Sequence, residues 1–347
     1  RQPSAISHRL TLLAEGWSLK AVGGVTSTSL FTLHRDFMTS SPAEPRDPPP
    51  YLFAGLTGLI VLGIYIATLA PTTAFWDTSE YIAAAYVLGI PHPPGNPLFV
   101  VLAHVWGALP LAADYAVRIN LFAAVTSATS AALWFLVADR WMRDVVPHRW
   151  ARLAASFAGV LVAATMWTVW NQSTVNEKVY TVSMLSTALV MWLGVHWADD
   201  EPGPHRDRYL VLIAYIIALS STNHLMGVLA GPAVAVYVLA TDPGMLLKPW
   251  VLFLGLFLAL GVSGQWTVLV SGEMTQKVGI LVVALALVGY TVWRDPGEFR
   301  RPMLYLAFVG WSYWSPALGN MLLWRDRRAR HALTREEKFS TGGVGVL

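Results

Sequence analysis

The chain has no cysteine, and only 13% of its 347 residues are charged. The first absence excludes disulfides, thiolate metal sites and cysteine nucleophiles, and it leaves the redox compartment open. The second excludes an ordinary soluble domain, whose solvated surface needs about 25% charged residues. Hydrophobic residues make up 55% of the chain instead. The net charge of +3 is small and scattered over connecting segments. Such a pattern bears on orientation in a bilayer, and no nucleic-acid partner is expected.

The apolar residues gather into runs that suit a hydrocarbon layer of ~30 Å, which takes ~20 residues of helix to cross. Residues 51–70 carry no charge at all. Further runs cover 119–138, 153–170, 179–198, 209–222, 225–240, 249–270, 278–293 and 303–323. The expected fold is all-α, a polytopic transmembrane helical bundle of about eight to ten spans. Residues 97–112 are the ambiguous run, being short and holding His104, Gly107 and Pro110.

Lys and Arg, which favour cytoplasmic loops, decide that case. Arg46 precedes the first run, residues 72–96 have neither Lys nor Arg, and Arg140, Arg143, Arg149 and Arg152 crowd the segment 139–152. If 97–112 crossed, this basic segment would lie outside. If it lies along the interface, the basic segment falls inside, together with Arg206, Arg208, Arg294, Arg300 and Arg301. The interfacial reading is therefore expected, with juxtamembrane helices in a first outer loop. Residues 72–118, 171–178, the pair Asn223-His224 and residues 271–277 then share the outer face.

Three regions follow. Residues 1–50 form an N-terminal tail, 51–323 the membrane domain and 324–347 a basic C-terminal tail. Residues 1–37 mix Arg1, Arg9, Lys20, Arg35 and Asp36 with short apolar patches and do not read as a signal peptide. Two readings of them stay open: non-native upstream sequence before a natural start at Met38, or a cytoplasmic extension.

Polar residues that interrupt apolar helices are costly and usually line a site. The stretch Phe75-Trp76-Asp77-Thr78-Ser79-Glu80-Tyr81 opens an expected short helix over 78–88. Asp77 and Glu80 fall on one face of its first turn. They serve either as a helix cap and capping box, or as chemistry: a carboxylate here can deprotonate a hydroxyl or hold a divalent cation. His92-Pro93-Pro94-Gly95-Asn96-Pro97 is a rigid turn back to the membrane. Its His92 is a candidate ligand for a phosphate or a substrate hydroxyl. Asn176-Glu177-Lys178 and Asn223-His224 interrupt two further helix pairs.

Taken in order, "FWDTSEYIAAAYVLGIPHPPGNPLF", "WNQSTVNEKVYTVSML" and "ALSSTNHLMGVL" resemble the bacterial membrane family related to the animal transmembrane protein O-mannosyltransferases. That family belongs to the GT-C superfamily of polyprenol-dependent glycosyltransferases. The likeness covers roughly residues 51–270 and fades after about Gly310, so an altered or truncated C-terminus is expected. The resemblance implies a bacterial plasma-membrane enzyme with its site on the outer face. It would transfer a sugar, mannose above all, from a polyprenyl-phosphate donor to a protein Ser or Thr hydroxyl. It implies Asp77 as the catalytic base, with Glu80 assisting, and no obligatory cofactor beyond a divalent cation that the carboxylates can accept. His92 and Arg118 become candidates for the donor phosphate. Asn176, Glu177, Lys178, Asn223 and His224 are further substrate-binding candidates. The rival is a transporter or flippase of a lipid-linked sugar or other amphiphile, which would bind at the bilayer midplane between repeats. No internal repeat is evident, and the polar interruptions collect on one face.

Overall fold

A computed structural model of the chain describes residues 47–73, 76–92, 95–175, 179–262 and 274–294, with Leu304, Ala307 and Trp311. The expectations for residues 1–37 and 324–347 lie outside the described residues, as does most of the run 303–323. All secondary structure among the described residues is helical. Its order is α1 Tyr51–Ala67, α2 Thr78–Val87, α3 Pro97–Gly107, α4 Tyr115–Met142, α5 Arg149–Thr165, α6 Trp167–Thr174, α7 Val179–Asp199 and α8 Pro204–Ser221. A 3₁₀ turn over Leu225–Leu229 leads into α9 Ala230–Thr241, and another over Pro243–Leu247 into α10 Pro249–Val262 and then α11 Met274–Arg294.

Among the described residues, fewer helices than the expected eight to ten are long and apolar enough to cross a membrane. Among the described residues, α4 and α7 are long and apolar enough to cross a membrane, and α5 with α6 makes a third candidate if the pair is one span. The run 153–170, expected as one spanning helix, is bent by 66° at Met166. The run 225–240 is split between a 3₁₀ turn and α9. At 17 residues, α1 reaches about 25 Å, just short of a full crossing. Apolar composition permits burial in lipid, but the length of an unbroken helix depends on packing and on where polar groups must be satisfied.

The bundle is held by close approach of small residues, since lipid gives helices no hydrophobic reason to associate. Gly58 of α1 lies against Ala128 and Ala132 of α4, where an added Cβ would come within 3.1 Å of the Ala128 carbonyl and the Ala132 methyl. Buried Ala124, Ala128 and Ala131 continue this seam, joined by Val61, Tyr65, Leu153 and Trp192 from α1, α5 and α7. Asn120 at the start of α4 donates from Nδ2 to the carbonyls of Ala70 and Thr72 at 2.7 and 3.2 Å. The end of α1 and the beginning of α4 therefore lie at the same end of the bundle, and the two helices are antiparallel.

The length of the helix at 97–107 agrees with the interfacial expectation. At 11 residues, α3 is about 16 Å long and cannot cross. With α2 it forms a hairpin on that same end, packed through Tyr81, Leu88, Phe99, Val100 and Ala103 onto Ile119 and Phe122 of α4 and Val179 and Val182 of α7. Arg118 ties the connection down. Its guanidinium donates to the carbonyls of Ala112 at 2.7 Å, Gly107 at 3.1 Å and Ala113 at 3.3 Å.

The opposite end is charged and paired. Arg140 grips Asp199 through Nε and Nη2 at 2.8 and 2.5 Å. Arg152 donates to Asp139 at 2.8 Å with both side chains buried. Arg206 meets Asp242 at 3.3 Å and lies 4.2 Å over the Trp197 ring. Lys248 meets Asp207 at 3.3 Å. The bundle thus separates a basic, ion-paired end from an end carrying the polar motifs. In cells, single cysteines at Thr73 and at exposed Val145 should label from opposite sides of the membrane, with Thr73 reached from outside. Labelling of both from one side would overturn this arrangement; in a chain without native cysteine the background is clean.

Candidate active site

The site is built on the first turn of α2 and the bend that follows it. Asp77 occupies the N-cap position, yet its side chain makes no cap hydrogen bond. Its carboxylate Oδ2 stands 3.9 Å from His92 Nδ1, outside hydrogen-bond range. Glu80 does not reach back as a capping box would. It accepts from the His92 backbone N–H at 2.5 Å on one oxygen and pairs with His92 Nδ1 at 2.9 Å on the other. A carboxylate accepts only, so this contact puts the ring proton on Nδ1. The helix-cap explanation of the Asp77/Glu80 spacing is therefore not the one the fold uses.

Backbone geometry brings the partners together. Leu88, at φ 55°, and Gly89 end α2. Gly95, at φ 92°, makes the left-handed turn that a Cβ would resist, and its N–H closes on the His92 carbonyl at 3.0 Å. Trp76, at φ 62° and 78% exposed, holds a conformation that a bulky residue adopts only when its surroundings impose it. The side chains of Asp77, Glu80 and His92 are 43%, 39% and 44% exposed, so the cluster opens to solvent at the motif-bearing end. Each offers one ligand atom, all within 4.8 Å of one another. Two carboxylate oxygens and one imidazole nitrogen suit a divalent cation.

The remaining candidates separate. Arg118 commits three of its five N–H donors to the carbonyls of Gly107, Ala112 and Ala113, and so braces the α3–α4 connection. Asn223 is fully buried, with Nδ2 donating to the Val179 carbonyl at 2.7 Å and to Ser183 Oγ at 2.9 Å. His224 caps the 3₁₀ turn, its Nδ1 accepting from Met226 N at 3.1 Å, and its ring meets Tyr180 at 4.8 Å. Asn176, Glu177 and Lys178 lie outside the described residues. Residues 175 and 179 on either side of them are at the motif-bearing end, since Thr78 Oγ1 donates to the Val175 carbonyl at 3.4 Å.

Sequence reasoning misses Tyr81 and Asn96. The Tyr81 ring lies edge-on to His92 at 5.7 Å and to Phe99 at 5.4 Å. Both residues stand inside the motif strings, but nothing in their spacing separates them from helix core or turn residues.

Comparison with known proteins agrees with the motif likeness. The model of the family described as "Protein O-mannosyl-transferase TMEM260 N-terminal domain" matches residues 77–245. A mouse protein named Protein O-mannosyl-transferase TMEM260 is 28% identical over 197 residues, which is 56% of this chain and 24% of that protein. A Dictyostelium discoideum protein of the same name is 24% identical over 165 residues, 45% of this chain and 19% of that protein. The chain thus spans about a quarter or less of the length of these relatives. No solved structure matches significantly.

Proposed function

From the kinship of this chain with the animal protein O-mannosyltransferases, we propose that it is a membrane glycosyltransferase of GT-C type. It transfers mannose from a polyprenyl-phosphate donor to a protein Ser or Thr hydroxyl at the outer face of a bacterial plasma membrane. The observation that carries this reading is the division of labour at the first turn of α2. Asp77 keeps a carboxylate free of capping bonds, while Glu80 is occupied with His92.

The chemistry follows from that division. The Asp77 carboxylate accepts the proton of the acceptor hydroxyl as its oxygen attacks the anomeric carbon. The bond from that carbon to the phosphate oxygen breaks, and polyprenyl phosphate leaves with the electron pair, so configuration inverts. His92, oriented by Glu80 through two contacts, serves the departing phosphate as the imidazolium, with Nε2–H as the donor because Nδ1–H goes to Glu80. A lipid-tailed donor explains why such a site sits at the end of a membrane bundle. Convergence of the three side chains at one end also favours the enzyme over a midplane transporter.

The direct test is incubation of the purified chain with polyprenyl-phosphate mannose and Ser/Thr peptides, followed by detection of mannosylated peptide. Within that assay His92→Ala should raise KM for the donor more than it lowers kcat. Glu80→Gln should give a smaller loss than removal of the Asp77 carboxylate, because its role is orientation. A Glu80→Gln loss equal to or exceeding that of Asp77→Asn would reverse the two assignments.

A further inference from the structure

Asn96 is 1% exposed and sits at φ 43°, a left-handed conformation that Asn tolerates better than most residues. Its Nδ2 donates to the backbone carbonyl of Asn223, and its Oδ1 accepts from Tyr81 Oη at 3.4 Å. Asn223 in turn holds Val179 and Ser183 on α7. Tyr81, between these groups and the site, presents its ring to His92. One chain of contacts therefore runs from His92 through Tyr81, Asn96 and Asn223 to α7. It joins the α2–α3 bend, the start of α7 and the end of α8, which are the three segments the sequence motifs mark.

We propose that Asn96 and Asn223 form a clasp whose role is to position the His92–Glu80 pair beside Asp77. The half-exposed imidazole of His92 meets Glu80 and the Tyr81 ring, so its position depends on where the bend and Tyr81 are held. Buried amide hydrogen bonds are directional and costly to leave unmade, so they fix the bend where apolar packing alone would allow it to shift. Neither asparagine touches substrate: both are positioning residues, and the proposal rests on the glycosyltransferase reading above only for its consequence in catalysis.

Asn96→Gly is the informative variant, because glycine accepts φ 43° without strain and removes only the side-chain bonds. Two readouts are needed. First, paired nitroxide labels on cysteines at exposed Val105 and Leu225 report the separation of α3 from the 3₁₀ turn. The parent should give a narrow distance distribution, and Asn96→Gly a broadened or shifted one. Second, in the mannosyl-transfer assay Asn96→Gly should raise donor KM at least threefold and by more than it lowers kcat, the same pattern as His92→Ala, because the group it misplaces is His92. Ser183→Ala, which removes one acceptor from Asn223, should shift both readouts in the same direction by a smaller amount, and decides the matter if Asn96→Gly does not fold. An unchanged distance distribution would overturn the clasp, and so would a donor KM within threefold of the parent alongside a broadened distribution. If the parent transfers no sugar, the functional reading fails, while the distance measurement still judges the clasp.

Discussion

Asp77→Asn should lower mannosyl transfer by about 10²–10⁴-fold, the usual worth of a general base, while the protein inserts and folds as before. Asparagine keeps the size of the side chain and its capacity to cap a helix, but it cannot take up a proton at neutral pH. If Asp77 were a cap, this substitution would cost well under about 1 kcal/mol and leave turnover intact. The native carboxylate makes no cap bond and lies 3.9 Å from His92, so little structure depends on its charge. The decisive measurement is kcat of the purified variant against the parent at saturating donor, with thermal unfolding measured on the same preparations. Transfer within threefold of the parent in a folded Asp77→Asn protein would remove Asp77 from the chemistry. Glu80 and His92 would then need another base.

The second large effect lies at the other end of the bundle and concerns stability alone. Asp139 near the end of α4 and Arg152 in the first turn of α5 are 2% and 4% exposed and joined at 2.8 Å. Arg152 Nη1 also donates to the Val146 carbonyl at 3.3 Å, closing the connection between the two helices. Replacing one partner strands a buried charge, which typically costs about 3–5 kcal/mol. Asp139→Leu and Arg152→Leu should each fall in that range in denaturant unfolding in detergent. The double variant should recover much of the loss, since two apolar side chains leave no charge to solvate. Single variants within about 0.5 kcal/mol of the parent, the span of ordinary surface changes, would mean that water reaches the pair. Transfer per folded molecule should stay unchanged in all three, because the pair belongs to the end away from Asp77.

Much of the site is legible in the amino-acid sequence. Asp77, Glu80 and His92 stand out because charge is expensive beside an otherwise apolar and uncharged stretch, and all three converge in the fold. Arg118 is legible as a cation at the motif-bearing end but not as a brace, because the carbonyls of Gly107, Ala112 and Ala113 that take three of its donors carry no sequence signature. Asn223 likewise reads as a substrate-binding candidate in an interruption between spans, whereas the fold buries it completely. Polar residues near a membrane surface satisfy either a ligand or the backbone, and one-dimensional spacing does not distinguish the two.

Composition alone pointed to a helical chain built for a bilayer, and the placement of Lys and Arg pointed to residues 97–112 not crossing, with which the 11-residue length of α3 agrees. Both follow from the cost of moving charge and unsatisfied backbone groups into hydrocarbon, a cost each residue carries wherever it sits. Tertiary structure alone decided which apolar runs remain single helices, where the chain bends by 66° at Met166, and that Asp77 does not cap its helix. It also decided that Tyr81, Asn96 and Asn223 link the bend to α7. These outcomes depend on distances between residues as far apart as 96 and 223, and such distances exist only once close packing of Gly58, Ala124 and Ala128 has brought the helices together.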